Sequence, residues 1–254
     1  MQGYKQKDTI ECTIGVIHIP GGILFFKNRD LNRDYLRNRL TVFQSTPEAH
    51  SLKGANLQTM ELEGISIGIN KHRVCVANTH VLSSEDVTYD ILCERILSQV
   101  KEKTDIPKVT NEFMGENSVQ GGRILIASPE WTYLLEVYQK EFQLQEITGN
   151  IAITNNFSLI DHQTERPKIR EESSLKRLEV ASLMIKGISN IGMLKGMLRS
   201  HLPEKGELSI CNHQAEGGGT ESSHIIQIQG DYVGWSSLLG HPCENDYQTT
   251  LLFQ

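Results

Sequence analysis

The sequence has no surplus of positive charge. It carries 25 Lys and Arg against 31 Asp and Glu, a formal net charge of −6. Phosphate affinity needs a basic excess on some face, so nucleic-acid binding is not expected. Long apolar runs are missing too, and nothing approaches the roughly 18–20 residues that span a bilayer. The first eleven residues, Met1 to Glu11, are polar and lack the apolar core of a secretory signal. Cysteine is sparse. The five thiols, Cys12, Cys75, Cys93, Cys211 and Cys243, are widely spaced and include no Cys-x-x-Cys pair. An odd, scattered set suits a reducing, cytoplasmic compartment rather than a disulfide framework. The nearest thing to a metal signature is Cys211 with His213, and two ligands do not make a zinc site. No metal or cofactor is therefore expected. Repeats, low-complexity tracts and convincing linkers are also absent.

What is present is an ordinary globular composition, 38% apolar and 22% charged over 254 residues, enough to bury a full core. Strand-like segments dominate. Thr13–Ile19, Pro20-Gly21-Gly22 and Ile23–Lys27 read as a hairpin. Further strands are predicted at 40–44, 57–62, 65–70, 73–79, 123–127, 132–138, 142–146, 150–155, 207–211, 224–229, 232–238 and 249–253. Helical periodicity appears near 87–103, near 173–187 and from Ile191 to His201, the last capped by Asn190. The polar stretches 104–120 and 161–173 read as surface loops, and Gly217-Gly218-Gly219 as a hairpin tip. Strands come in runs on either side of a central helical pair. This predicts an α+β fold, a four-layer αββα sandwich of two mostly antiparallel sheets. The domain reading is a leader, residues 1–11, and one catalytic domain, residues 12–254.

Two clusters can carry chemistry. Cys12 follows the polar leader and opens a strand. A thiol is mostly protonated at neutral pH and needs help to become a thiolate. An α-amine on the same residue, with a pKa of about 7.7–8.0, can serve as the base. That device requires the Glu11–Cys12 bond to be cut. The plainer reading is a buried strand cysteine. The second cluster is Lys27-Asn28-Arg29-Asp30. If its strand pairs antiparallel with that of Cys12, Asp30 emerges near the nucleophile, where a carboxylate can hold an ammonium and a cation can favour the thiolate. The plainer reading here is a solvated strand end.

Cys12-Thr13, Lys27-Asn28-Arg29-Asp30 and Ile153-Thr154-Asn155-Asn156-Phe157 resemble the motifs of the penicillin acyltransferase-type N-terminal-nucleophile (Ntn) hydrolases, and more distantly bile salt hydrolases and penicillin V acylases. Ser209-Ile210-Cys211-Asn212-His213, Thr220-Glu221-Ser222-Ser223-His224 and Gly240-His241-Pro242-Cys243 continue the likeness in the same order, so it covers nearly the whole chain. The resemblance implies that Cys12 is the nucleophile, freed by autocatalytic cleavage after Glu11, with its own amine as base. Asp30 matches the catalytic aspartate. Asn155 matches an asparagine of the oxyanion hole. Lys27 sits where relatives carry an arginine beside the nucleophile, and Arg177 resembles an arginine lining the active site. Asn78 lies on a segment like one that feeds the substrate pocket.

Three positions depart from the pattern. Asn212 stands for an arginine, Asn156 for a histidine, and Arg29 for an aromatic or aliphatic residue. With Asn78 they are the positions where substrate preference is expected to be set. The implied activity is a cysteine-dependent amidohydrolase or acyltransferase acting on a small amide or acyl-thioester without a cofactor. The expected partner is that small molecule, not nucleic acid or membrane, and self-association into a homo-oligomer stays open. Two rivals remain. One is an unprocessed, catalytically silent relative that binds a ligand or partner. The other is a thiol enzyme that uses Cys12 uncut, with His18 or His213 as base. His72 and His80 read as surface or loop-contact histidines.

Overall fold

Pro20-Gly21 closes a hairpin between β1 (Glu11–Ile19) and β2 (Gly22–Asn32), with Gly21 at φ 78, a value that glycine reaches without strain. The computed structural model describes residues 11–32, 37, 39–59, 61–162, 167–214 and 217–253. β1 and β2 are neighbouring interior strands of a six-stranded sheet. Its other strands are β10 (Ile151–Ile153), β11 (Gly218–Gln229), β12 (Tyr232–Leu239) and β13 (Gln248–Leu251), and its order is β10-β1-β2-β11-β12-β13. A seven-stranded sheet runs in sequence order: β3 (Arg39–Ser45), β4 (Ala49–Asn56), β5 (Leu62–Asn70), β6 (Cys75–Leu82), β7 (Val119–Ala127), β8 (Thr132–Gln139) and β9 (Glu141–Glu146). The ladders within both sheets are antiparallel.

Alternation along the central strands explains the layering. Ile14, Val16, Ile23 and Phe25 join Ile67, Ala77 and Leu125 in a core between the two sheets. Ile17, Leu24 and Phe26 point the other way, against α3 (Lys168–Met184) and α4 (Ile191–Leu198). The outer face of the second sheet, with Val76, Ile124 and Ile126, is covered by α1 (Tyr89–Gln99) and α2 (Asp105–Glu116). The result is helix–sheet–sheet–helix. Both faces of β1 and β2 are buried, so the stretch Ile23 to Phe26 reads as a continuous apolar run. Each fully buried Ile, Leu or Phe contributes about 1.5–3 kcal/mol. No helix among the described residues is long and apolar enough to cross a membrane.

The cap of α4 is as expected: the Asn190 side chain accepts from the Met193 N–H at 3.0 Å. Other local readings need correction. The stretch 104–120 holds α2 and the start of β7 rather than a loop, and α3 begins within 161–173. The expected strand at 57–62 is largely a turn, while β4, unexpected, lies just before it. Segment 207–211 is turns and bends, because side chains take its backbone groups. Ser209 Oγ donates to the Cys211 carbonyl at 2.6 Å, and Asn28 Nδ2 to the Ile210 carbonyl at 2.9 Å. Gly218 and Gly219 open β11 instead of forming a tip.

Candidate active site

The register of the hairpin places the site. Cys12 pairs with Arg29, and Glu11 with Asp30. Cys12 faces the inter-sheet core. Glu11, Thr13 and Asp30 meet α3 on the opposite face, through Arg177. The polar run 27–30 is not a solvated strand end. Lys27 is 1% exposed, Asn28 0%, Arg29 6% and Asp30 0%.

β10 pairs with β1 only from Ile14 to Val16. At Cys12 the ladder is replaced by side chains. The Cys12 N–H donates to Asn155 Oδ1 at 3.0 Å, and the Cys12 carbonyl accepts from Arg177 Nη1 at 2.8 Å. Arg177 also donates to Asn155 Oδ1 at 3.1 Å and to Thr13 Oγ1 at 3.0 Å. It lies 3.4 Å from the Glu11 carboxylate and 3.8 Å from that of Asp30. A fully buried guanidinium thus faces two buried carboxylates and holds the main chain next to the thiol.

The supports of this knot come from three directions. On α3, Ser173, Ser174 and Arg177 share the buried face. Ser174 Oγ accepts the Asn155 N–H at 2.9 Å, and Ser173 Oγ donates to Glu11 at 3.0 Å. The segment after Asn155 is held by Glu136, which accepts the N–H groups of Ser158, Leu159 and Ile160 and pairs with Arg123 at 2.9 Å. The Asn155 side-chain amide donates to the His80 carbonyl at 2.7 Å, which fixes its plane. His80 is buried rather than a surface residue.

Asp30 is held from β11. Thr220 pairs directly with it and donates from Oγ1 to Asp30 Oδ1 at 2.8 Å. Gly219 precedes it at φ 104, and a Cβ there would collide with the Asn212 carbonyl. A register shift between Thr220 and Ser222 turns Glu221 towards Arg29, which it meets at 3.2 Å.

The electrostatics follow from burial. Burial pushes the Cys12 thiol above its ordinary value. The Lys27 charge opposes that most, and the Asp30 backbone N–H and the Arg29 charge also favour the thiolate. Burial raises Asp30 to about 7, against the Arg177 charge and the Thr220 hydrogen bond. Burial lowers Lys27, whose ammonium donates to the Ser66 carbonyl, the Asn78 carbonyl and Asn78 Oδ1 at 3.1, 2.7 and 3.0 Å. The Lys27 cation and the Asp30 carboxyl thus act on the thiol in opposite senses, the one favouring the thiolate and the other disfavouring it.

The residues singled out in the sequence thus divide. Cys12, Asp30, Asn155 and Arg177 meet directly or through one another. Lys27 and Arg29 supply charge beside them. Asn78 holds Lys27 and reaches Asp90 at 2.8 Å. Asn212 is one hydrogen bond further out, its N–H donating to Thr220 Oγ1 at 2.9 Å. Asn156 lies at a surface pocket of about 650 Å³, with Phe157, His162 and Leu175. His18 is six residues along β1 from Cys12, about 20 Å at strand rise, out of reach as a base for an uncut thiol. The sequence marks Glu11 only as the residue before the expected cut, and gives no sign that its carboxylate meets Ser173 and Arg177. A glutamate ending a polar leader gives no sign that it will be buried.

The four layers and this strand arrangement are those of the Ntn hydrolase fold. The chain is similar to a single-residue variant of the conjugated bile acid hydrolase from Clostridium perfringens, with a TM-score of 0.54 and 11% identity over 94% of this chain and 97% of that one. A second variant of that enzyme gives 0.52 and 10% over 94% and 96%. Penicillin V acylase from Agrobacterium tumefaciens gives 0.54 and 8% over 90% and 83%. No family model matches the sequence, and no curated protein does. At these identities the likeness establishes the fold.

Proposed function

We propose that the chain is a cysteine Ntn enzyme that hydrolyses a small linear amide through an acyl-enzyme on Cys12, after autocatalytic cleavage of the Glu11–Cys12 bond. The supporting observation is the side-chain clamp on the Cys12 backbone. Asn155 and Arg177 hold its N–H and carbonyl where a neighbouring strand would otherwise be. The fold is shared with solved amide-cleaving enzymes, the bile acid hydrolase and the penicillin acylase.

In the first step Cys12 Sγ attacks the Glu11 carbonyl. The C–N bond breaks as the Cys12 nitrogen takes a proton, and water cleaves the thioester to leave a Glu11 carboxylate and a free thiol. The new α-amine stays within reach of Asn155 Oδ1, and Asp30 stands one residue along the neighbouring strand from Arg29, the partner of Cys12. In turnover that amine takes the thiol proton and Sγ attacks the substrate carbonyl. Asn155 Nδ2, which carries two hydrogens, and a backbone N–H receive the developing oxyanion. The leaving amine departs with a proton, and water releases the acid. Arg177 holds the Cys12 carbonyl and Asn155 Oδ1 and, with the leader gone, balances Asp30.

An amine that reaches the acyl-enzyme before water would give N-acyl transfer. Incubation with amide and thioester donors, with and without added amines, tests the reading. A mass adduct on Cys12 that decays to free acid is expected; decay only to N-acyl product makes the chain a transferase. Absence of any adduct across the panel, in cleaved protein, removes the proposal in favour of a silent ligand-binding relative.

A further inference from the structure

Four side chains outside the candidate active site converge from three parts of the chain. His201 follows α4, Cys211 and His213 lie in the irregular stretch before β11, and Cys243 lies between β12 and β13. Their ligand atoms all lie within 4.8 Å of one another. His213 Nε2 is 3.2 Å from His201 Nε2, 3.5 Å from Cys211 Sγ and 3.3 Å from Cys243 Sγ. One imidazole nitrogen offers a single proton or a single lone pair. It cannot satisfy three such neighbours by hydrogen bonds. A cation at the centre satisfies all of them together.

The three spacings from His213 Nε2 match those of a tetrahedral zinc site. Zn–N bonds of about 2.0–2.1 Å and Zn–S bonds of about 2.3 Å at tetrahedral angles put N···N at about 3.3 Å and N···S at about 3.6 Å. Two sulfurs and two imidazoles in a tetrahedral array are a zinc donor set and a poor one for magnesium or calcium. We propose that His201, Cys211, His213 and Cys243 hold a structural zinc ion. Two thiolates balance its charge, and the two imidazoles bind neutral. Four protein ligands close the coordination shell, which marks a structural rather than a catalytic ion.

The position gives the ion a task. The two segments it joins, around 200–214 and 240–247, are mostly turns and bends, so little regular structure fixes them. The His213 N–H donates to the Gly206 carbonyl at 3.1 Å, and the His241 ring stacks on that of His213 at 3.9 Å between centroids. Asn212, between two ligands, exchanges main-chain and side-chain hydrogen bonds with Thr220 at 3.0 and 2.9 Å. Thr220 in turn holds Asp30. The zinc clamps the loop that braces Asp30 from behind.

The test is metal content. The full chain, purified under reducing conditions without chelator, is expected to carry one zinc per chain by elemental mass spectrometry. The double variant Cys211→Ser, Cys243→Ser should lose it, while Cys75→Ser, Cys93→Ser and Cys12→Ala keep it. Because the double variant could misfold, the parent chain provides a second readout. After chelation it should take up one cobalt, with the thiolate charge-transfer and intense visible bands of tetrahedral cobalt, and zinc should displace the cobalt and raise Tm. The proposal is overturned if the parent holds no zinc and gives no cobalt spectrum. It is equally overturned if the double variant keeps its zinc, or if Cys211 and Cys243 are found as a disulfide. None of these readouts depends on Cys12 chemistry.

Discussion

The Cys12 N–H donates to Asn155 Oδ1 at 3.0 Å across a sequence separation of 143 residues. The same oxygen accepts from Arg177 at 3.1 Å. One amide side chain therefore fixes both the nitrogen that would become the α-amine and the guanidinium that neutralises Glu11 and Asp30. Asn155 in turn is placed by α3 through Ser174 and by β6 through the His80 carbonyl.

Asn155→Ala removes the acceptor of the Cys12 N–H and a proposed oxyanion donor together. Losing one such donor typically costs about 10²–10³ in rate. Steady-state turnover should fall by that order, leader removal should slow, and some acyl-enzyme should still be trapped with a reactive donor. Unchanged turnover would take Asn155 out of the chemistry.

In the uncleaved chain, Arg177→Ala leaves Glu11 and Asp30 buried without their shared cation. Removing one partner of a buried ion pair costs about 3–5 kcal/mol. Denaturant unfolding should show a loss of that size. Arg177→Lys should recover part of it, because a lysine restores the charge but not the fork that spans the Cys12 carbonyl and Asn155.

Asp30 makes stability depend on pH. Its carboxyl is raised to about 7 in the folded chain, against about 3.9 when unfolded. Between those values the folded state binds more protons, so the contribution of this group is fully present below about pH 4 and is lost as pH rises through about 7. Stability measured against pH should fall over that window relative to Asp30→Asn, which has no proton to lose. Parallel curves for the two proteins would show that Asp30 is ionised throughout.

The hairpin and the layering were legible because local signals carried them. Pro20-Gly21-Gly22 marks the turn, and apolar runs mark strands covered on both faces. Other parts were not legible, for physical reasons. β4, Ala-His-Ser-Leu-Lys-Gly-Ala-Asn, has few apolar residues. It is stabilised by partners elsewhere, Lys53 by Glu94 at 2.6 Å and His50 by Ser45 at 2.7 Å. α2 contains Pro107 and Gly115 among polar residues, yet Ile106, Val109, Phe113 and Met114 form a buried stripe at helical spacing. The buried run 27–30 reads as surface charge until the partners Arg177, Glu221 and Asn78 are known. The grouping of His201 and Cys243 with Cys211 and His213 leaves no spacing signature, because tertiary contacts alone bring the three segments together.

The central claim is that Cys12 becomes a new chain start and does its chemistry there. Intact mass of the purified parent and of Cys12→Ala, followed over a long incubation, tests it most directly. Loss of residues 1–11 from the parent, with Cys12→Ala remaining full-length, folded and inactive, is the expected result. A parent that stays full-length, or a Cys12→Ala protein that retains amide turnover, would contradict it.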